Sequence, residues 1–379
     1  LSGAPLGVYV HWPYCARICP YCDFNVLRDR GRSDAKAALV QAILRDLRAH
    51  AAFIGPRRLG SIFFGGGTPS LMDAGDVGSI VDVAQSLWPP GDDVEITLEA
   101  NPTDAEAGRF AEFAGVGVNR LSLGLQSLND DALRRLGRNH DAAAARRAAE
   151  RAVHAFRRVS IDLIYALPDQ TAADWAAELR ACIALGPEHV SPYQLTIEPG
   201  TPFHRAVDRG TLRPPPEDRA ADLYETTQST LDEAGYEAYE VSNHARGATA
   251  RSRHNLIYWR GQDYLGIGPG AHGRITLKGE RWASVSAKAI ADYVRQVDGG
   301  LTSATRERLG EREVAVERLL MGLRTLEGVG LSELAPLGID AARLAHFEGL
   351  VKLAAGRVVI TATGRPVLDR IIRDLAHGA

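Results

Sequence analysis

The chain is predicted to take an α/β fold: an incomplete (β/α)6 barrel followed by a smaller α+β C-terminal module with a winged-helix-like pattern. Three observations predict it. Between residues 6 and 197, short apolar runs alternate with stretches of helical period, and such alternation implies a parallel sheet with right-handed crossovers. After about residue 215 the rhythm stops, at the proline-rich RPPPEDR (213–219). At the far end, helical patterns lead into LVKLAAGRVVITATG, which reads as a hairpin, and RPVLDRIIRDLAHG, which reads as a last helix. The implied ranges are 1–215 for the barrel, 216–305 for a connecting region and 306–379 for the C-terminal module.

Each barrel unit has its own signal. LGVYVHW (6–12) is a strand, and DAKAALVQAILRDLRAHAAF (34–53) is an amphipathic helix with Ser33 as its N-cap. SIFFGGG (61–67) is a strand, followed by a helix over 73–88. VEITLEA (94–100) precedes a helix over 104–114, and RLSLGLQS (120–127) precedes helices at 129–137 and 141–157. SIDLIYAL (160–167) leads into a helix at 171–185, and HVSPYQLTI (189–197) is the sixth strand. Beyond the boundary a helix is expected near 217–234. The segment 236–300, rich in glycine and aromatics, is expected to be irregular, and helices follow at 311–326, 331–336 and 340–349.

Composition excludes several classes. The 379 residues are 45% apolar and 24% charged, with a net charge of −3, which suits a globular protein. There is no basic excess of the kind that binds nucleic acid or acidic lipid. Residues 311–379 carry nine Lys+Arg and nine Asp+Glu, so the winged-helix-like module lacks the basic stripe that phosphates require. It reads as a docking or lid module, with no nucleic-acid partner. No apolar run reaches the roughly 18 residues of a membrane span. LSGAPLGVYV has neither a basic n-region nor an apolar h-region, so no signal peptide is expected. It does not open on Met, so native residues are expected before it. The four unevenly placed cysteines do not form a secreted disulfide framework, and a reducing cytoplasm is the expected location.

Three of those four cysteines crowd into CARICPYCDF. Cys15, Cys19 and Cys22 have the spacing C-x3-C-x2-C, and the fourth, Cys182, lies 160 residues further on in a helical stretch. Two readings of the three thiols are open. With His11 they would make a Cys3His zinc site. Alone they suit an iron–sulfur cluster, and three ligands would leave one iron of a [4Fe–4S] cube open for chemistry.

The loop follows the first strand of a β/α barrel, and in that setting the motif resembles the radical S-adenosylmethionine (SAM) superfamily, over roughly residues 6–210. The resemblance implies that Cys15, Cys19 and Cys22 hold a [4Fe–4S] cluster and that SAM chelates its open iron. It also implies that one electron cleaves SAM to methionine and a 5′-deoxyadenosyl radical. Ligand sites of parallel β/α folds gather at the carboxyl ends of strands. FFGGGTP ends the second strand there, and its glycines bring bare backbone close to a ligand. Glu99, Gln126 and Asp162 lie in strands three, four and five, and Arg138 follows in LGRNH. By resemblance, Glu99, Gln126, Arg138 and Asp162 hold the amino-acid and ribose parts of SAM, and Tyr9, Tyr21, Gly66, Gly67 and Thr68 complete the site.

The strings YVHWPYCARICPYCDF, FFGGGTPS, LGLQS, SIDLIYALPDQ and YLGIGPGAHG are similar to the oxygen-independent coproporphyrinogen III oxidase family. The oxidases have a further cysteine two positions after the third, where this chain has Phe24, and a longer segment before the first strand. Both departures point to the second branch of the family, the heme chaperones, whose marker H-N-x-x-Y-W stands here as HNLIYW (254–259). The resemblance implies that His254 ligates heme iron, with Tyr258 and Trp259 against the porphyrin. Heme-acceptor proteins, membrane-bound respiratory enzymes among them, are the implied partners, and a homodimer would suit transfer at a surface. His272, in GIGPGAHG, falls where the oxidases bind a second SAM. Three functions follow: a heme chaperone holding SAM and a [4Fe–4S] cluster; a coproporphyrinogen III dehydrogenase or related radical SAM methyltransferase; and a zinc-stabilised interaction protein.

Overall fold

The computed structural model describes residues 4–300, 302 and 304–377; residues 1–3, 301, 303 and 378–379, which belong to the predicted ranges, lie outside the described residues. Five strand–helix units and a sixth strand open the chain. β1 (Leu6–Trp12) and α1 (Ser33–Ile54) flank the cysteine loop. Next come β2 (Leu59–Gly66) with α2 (Ala74–Leu87) and β3 (Pro90–Ala100) with α3 (Phe110–Gly115). β4 (Arg120–Gln126) with α4 (Ala142–Ala155), β5 (Arg158–Tyr165) with α5 (Ala172–Ala184), and β6 (His189–Gln194) complete the series. β1 to β6 are parallel and neighbours in chain order. Two local expectations change. Ser33 is the first helical residue of α1, and the N-cap position is Arg32. The helix expected over 104–114 breaks at Gly108 into Asp104–Ala107 and α3, as a poor helix former invites.

The segment expected to be irregular contains strands and helices. α6 (Glu217–Glu233) precedes β7 (Glu237–Glu240) and β8 (Asn243–Ala245). Then come α7 (Arg253–Trp259), β9 (Tyr264–Ile267), β10 (His272–Leu277), β11 (Glu280–Ser286), α8 (Ile290–Asp298) and β12 (Ala304–Arg308). All six strands join the barrel's own sheet, whose order is β12-β11-β10-β9-β1-β2-β3-β4-β5-β6-β8-β7. β9 runs parallel to β1, with Gly7 opposite Tyr264 and Val10 opposite Ile267. At the other edge β8 pairs antiparallel with β6. These strands escape notice because they are short, and β9 and β10 each carry a glycine. At Gly266 a Cβ would run into the carbonyl of His272, so β9 and β10 approach only because that position is bare. One apolar cluster runs from Val8, Phe64 and Leu98 through Trp175 to Leu231, Ile267 and Tyr293. Trp175 of α5 stacks on Tyr165 at 5.3 Å and donates to Thr227 Oγ1 of α6 at 2.7 Å. Burial of one such side chain stabilises the fold by roughly 1.5–3 kcal/mol.

The C-terminal module has its own apolar cluster, which includes Leu319, Leu334, Val358, Ile371 and Leu375. It consists of α9 (Glu311–Gly322), the strands β13 (Val329–Gly330), β14 (Val351–Ala354) and β15 (Arg357–Ile360) in the order β13-β15-β14, and α10 (Leu368–His377). The predicted hairpin is β14–β15. Ion pairs fasten the module to the large sheet: Arg274 to Glu317 at 2.7 Å and Arg324 to Glu240 at 2.6 Å. Among the described residues, no helix is long and apolar enough to cross a membrane.

Candidate functional site

The cysteine loop lies across the carboxyl ends of β1 and β2 and is held at several points. Gly67 N–H donates to Trp12 O at 2.7 Å and Thr68 N–H to Tyr14 O at 2.8 Å. A Cβ at Gly67 would come within 2.7 Å of Tyr14 O and 2.9 Å of Trp12 O. At Gly66, where φ is +106°, a Cβ would lie 2.5 Å from the His11 ring. Glycine is required in this run because the end of β1 and the start of the cysteine loop fill the space. Asn25 Nδ2, at the far side of the loop, donates to Pro269 O and Lys288 O, both at 3.0 Å.

A chain of hydrogen bonds joins two of the cysteines. Thr68 Oγ1 bonds the Cys15 thiol and accepts from Asn101 Nδ2 at 3.0 Å. Arg138 Nη2 donates to Asn101 Oδ1 at 2.5 Å and to Gly124 O at 2.9 Å, while its Nη1 donates to Cys19 Sγ at 3.3 Å. Arg138 Nε is buried without a partner. Tyr21 sits beside Arg138 and Cys19 and packs on Phe203 at 6.2 Å. Burial raises the Cys15 thiol to about 11, against the Thr68 hydrogen bond, and burial also raises Cys22. Among the described residues, no three His, Cys, Asp or Glu side chains converge to hold a single metal ion. His11 gives one ring nitrogen to Tyr9 OH at 3.0 Å and the other to Asn25 O at 2.9 Å, which removes it as a fourth zinc ligand. Cys182 is fully buried in α5, away from the loop.

Below the loop the barrel presents carboxylates. Glu99 accepts from Gly66 N–H at 3.2 Å. Asp162 accepts from Ser122 Oγ at 3.0 Å and Ser160 Oγ at 3.3 Å. It lies mid-strand in β5, level with Gly124, one layer deeper than the strand-end position expected for it. Both carboxylates stay partly open to the mouth. Burial first, and the Asp162 charge second, push Glu99 up to about 8; burial raises Asp162 too. Gln126 sits at a register shift in β4 with φ at +66°, a conformation costly for a residue with a side chain. Its amide reaches back over Gly124, where a Cβ would meet Gln126 Nε2 at 2.9 Å and Arg138 Nη2 at 3.8 Å. The structure thus brings Tyr9, Tyr21, Gly66, Gly67, Thr68, Glu99, Gln126, Arg138 and Asp162 to one mouth around Cys15, Cys19 and Cys22. Asn101 and the serine layer were missed. An amide two residues after Glu99, and serines at inward-facing strand positions, were the available signals.

HNLIYW occupies α7. α7 begins under the barrel, where the buried Glu95 carboxylate accepts from the N–H groups of Arg253 and His254 at 3.0 Å. His254 is fully buried, its ring stacked on Phe63 at 5.0 Å. Nδ1 bonds Ser61 Oγ at 2.7 Å and Nε2 bonds Tyr258 OH at 2.6 Å. Burial lowers it to about 3, so the ring is neutral with both nitrogens occupied. The ring lies 6.4 Å from that of Tyr9. Tyr258 and Trp259 line a groove between the β9–β10 part of the sheet and the C-terminal module.

A barrel mouth spanned by a three-cysteine loop defines the class, and residues 9–182 match the Radical SAM superfamily. The mouse protein named radical S-adenosyl methionine domain-containing protein 1, mitochondrial, is 43% identical over 330 residues, covering 85% of this chain and 74% of that protein. The heme chaperone HemW of Mycobacterium tuberculosis (strain ATCC 25618 / H37Rv) is 35% identical over 380 residues, covering 99% and 96%. This chain belongs to the HemW family of radical SAM proteins. The solved structure of coproporphyrinogen III oxidase (HemN) from Escherichia coli, a radical SAM enzyme, superposes with a TM-score of 0.81 over 98% of this chain and 90% of that one. At 23% identity that likeness is one of fold.

Proposed function

We propose that this chain is a heme chaperone on a radical SAM scaffold, taking up heme and releasing it to acceptor proteins. The carrying observation is the match to the mycobacterial heme chaperone along nearly the whole of both chains. Phe24, standing where the oxidases have a cysteine, supports it; its side chain is 64% exposed at the rim of the loop.

In this reading Cys15, Cys19 and Cys22 hold a [4Fe–4S] cluster. Three thiolates on one loop suit an iron–sulfur cluster. Two half-buried carboxylates suit the ammonium and sulfonium of SAM; burial first, and the Asp162 charge second, raise Glu99, and a positive charge beside it would favour its ionised form. Cluster and SAM, when bound, supply one-electron chemistry. The chain's own residues position the ligands: Arg138 steadies the Cys19 sulfur, Asn101 and Thr68 relay that hold to Cys15, and Asp162 presents an acceptor to ribose hydroxyls. Tyr9, Tyr21, Gly66, Gly67 and Gln126 shape the walls. We assign cluster and SAM binding to residues 1–215, the motif wall to 216–305 and the closing face of the groove to 306–379.

The acceptors we infer are respiratory enzymes in a membrane, met from the cytoplasm, with a homodimer as the transferring unit. The test titrates anaerobically reconstituted protein with heme, and separately incubates it with SAM, a reductant and coproporphyrinogen III. A Soret band without protoporphyrinogen is expected; porphyrinogen turnover without heme binding would restore the oxidase.

A further inference from the structure

Behind Asp162 the barrel encloses a line of hydrogen bonds that ends on its carboxylate. The far end is backbone: Ser252 N–H, at the start of α7, donates to Tyr239 OH at 3.0 Å. Tyr239 OH lies 2.8 Å from His189 Nε2, and His189 Nδ1 lies 2.8 Å from Ser160 Oγ. Ser160 Oγ in turn lies 3.3 Å from Asp162 Oδ1. His189 is the first residue of β6 and is fully buried, as are Ser160 and Ser252; Tyr239 of β7 is 2% exposed.

Every hydrogen in this line has one direction. A backbone N–H can only donate, so the Tyr239 oxygen accepts from Ser252 and its own hydrogen goes to His189 Nε2. Burial first, and the Arg120 charge second, keep the His189 ring neutral. A neutral imidazole has one donor and one acceptor. With Nε2 accepting, Nδ1 carries the hydrogen and donates to Ser160 Oγ. The Ser160 hydroxyl then turns its own hydrogen away from the ring. Two acceptors stand there, Asp162 Oδ1 and Ser191 Oγ, both at 3.3 Å, and the carboxylate is the stronger. Ser191 is itself bonded to Asn243 Oδ1 at 3.3 Å and reaches the same carboxylate. The opposite tautomer would set two donors face to face at Tyr239. It would also draw the Ser160 hydrogen to Nδ1, leaving Oδ1 without it.

We propose that His189 is a positioning residue for the SAM site: it fixes the Ser160 hydroxyl, and through it the carboxylate that Asp162 presents to ribose. This rests on the reading that SAM binds at Asp162 and adds what orients that group. Asp162 is gripped at both oxygens, by Ser160 at Oδ1 and by Ser122 at Oδ2, 3.0 Å away. A carboxylate so held cannot rotate to suit a ligand, and a ligand that fits it loses no ordering energy on that side.

The test titrates anaerobically reconstituted full-length protein with SAM in a calorimeter, after iron content and urea midpoints establish that each variant is loaded and folded. Two substitutions split the ring's bonds. His189→Asn places an amide N–H where Nδ1 stands and keeps the donation to Ser160. His189→Gln places its amide near Nε2 and keeps only the bond to Tyr239. His189→Gln and Ser160→Ala are each expected to bind SAM about tenfold more weakly, and His189→Asn to bind as the wild type does. Because His189 acts through Asp162, adding His189→Gln to Asp162→Asn is expected to weaken SAM no further. Equal losses in His189→Asn and His189→Gln, or losses that add in the double variant, make His189 a packing residue and overturn the proposal. So does a Ser160→Ala protein with wild-type SAM affinity, which decides the matter even where a His189 variant unfolds. A wild type that binds SAM beside an Asp162→Asn protein of equal affinity overturns the assignment of Asp162 and this inference with it.

Discussion

Replacing His254 by Phe separates a packing role from iron ligation. Phenylalanine keeps the stack on Phe63 at 5.0 Å and most of the ring's volume. It removes the two hydrogen bonds, 2.7 Å to Ser61 Oγ and 2.6 Å to Tyr258 OH. Ser61 is fully buried and the Tyr258 hydroxyl points at the ring, so two hydroxyls lose their partner. An unpaired buried hydroxyl costs about 1–3 kcal/mol, hence roughly 2–6 kcal/mol for the pair. That is a large part of the roughly 5–15 kcal/mol that holds a typical domain. Urea unfolding followed by circular dichroism should show a lower midpoint at unchanged slope, while ferric heme should still give a Soret band at the wild-type wavelength. A His254→Phe protein with the wild-type midpoint and no Soret band would refute this reasoning and return His254 to the iron.

Serine at Cys15, Cys19 or Cys22 should abolish most iron and sulfide loading on anaerobic reconstitution, because a hydroxyl is a poor soft ligand; Cys182→Ser, buried in α5, should load normally. Asp162→Ala should weaken SAM by about 1–3 kcal/mol in calorimetry through unpaired partners, with the cluster's absorption unchanged. Glu99 rises from an ordinary 4.5 to about 8 in the fold, so between those values the folded chain holds a proton that the unfolded chain has lost. The stability of the ligand-free protein should therefore be greatest below pH 4.5 as far as this group is concerned, and decline as pH rises toward 8. Glu99→Gln should flatten that part of the profile, and an unchanged pH dependence of its urea midpoint would count against the buried carboxyl.

The six barrel strands could be read from local pattern because each is an apolar run between amphipathic helices, and the cysteine loop because thiols are rare in this chain. Glu99 and Arg138 were legible as polar residues next to strand ends. Asp162 was legible by type but not by depth, since register depends on pairing across strands: Ser160 and Asp162 take their level from Ser122 and Gly124. The partners of His254 were not legible: a histidine among aromatics has the same spacing whatever its nitrogens face, and Ser61 lies 193 residues earlier. The glycines of FFGGGTP were legible as a close approach, yet the approaching body is the cysteine loop. Strand β9 left no local trace, because its four residues gain meaning only beside β1.

That pairing carries a consequence for synthesis. β1 leads directly into the cysteine loop, and its second flank, Tyr264–Ile267, is translated about 250 residues after Gly7. At about 5–20 residues per second the ribosome needs roughly 10–50 s to deliver it. Until then β1 is an edge strand, with β2 on one side and open hydrogen-bonding groups on the other. The turn that receives Asn25 at Pro269 is also missing during that interval. A nascent chain can display all three cysteines long before it can hold them in place. Iron offered early meets a loop without its Asn25 anchor, whereas iron offered after release meets the loop fastened on both sides.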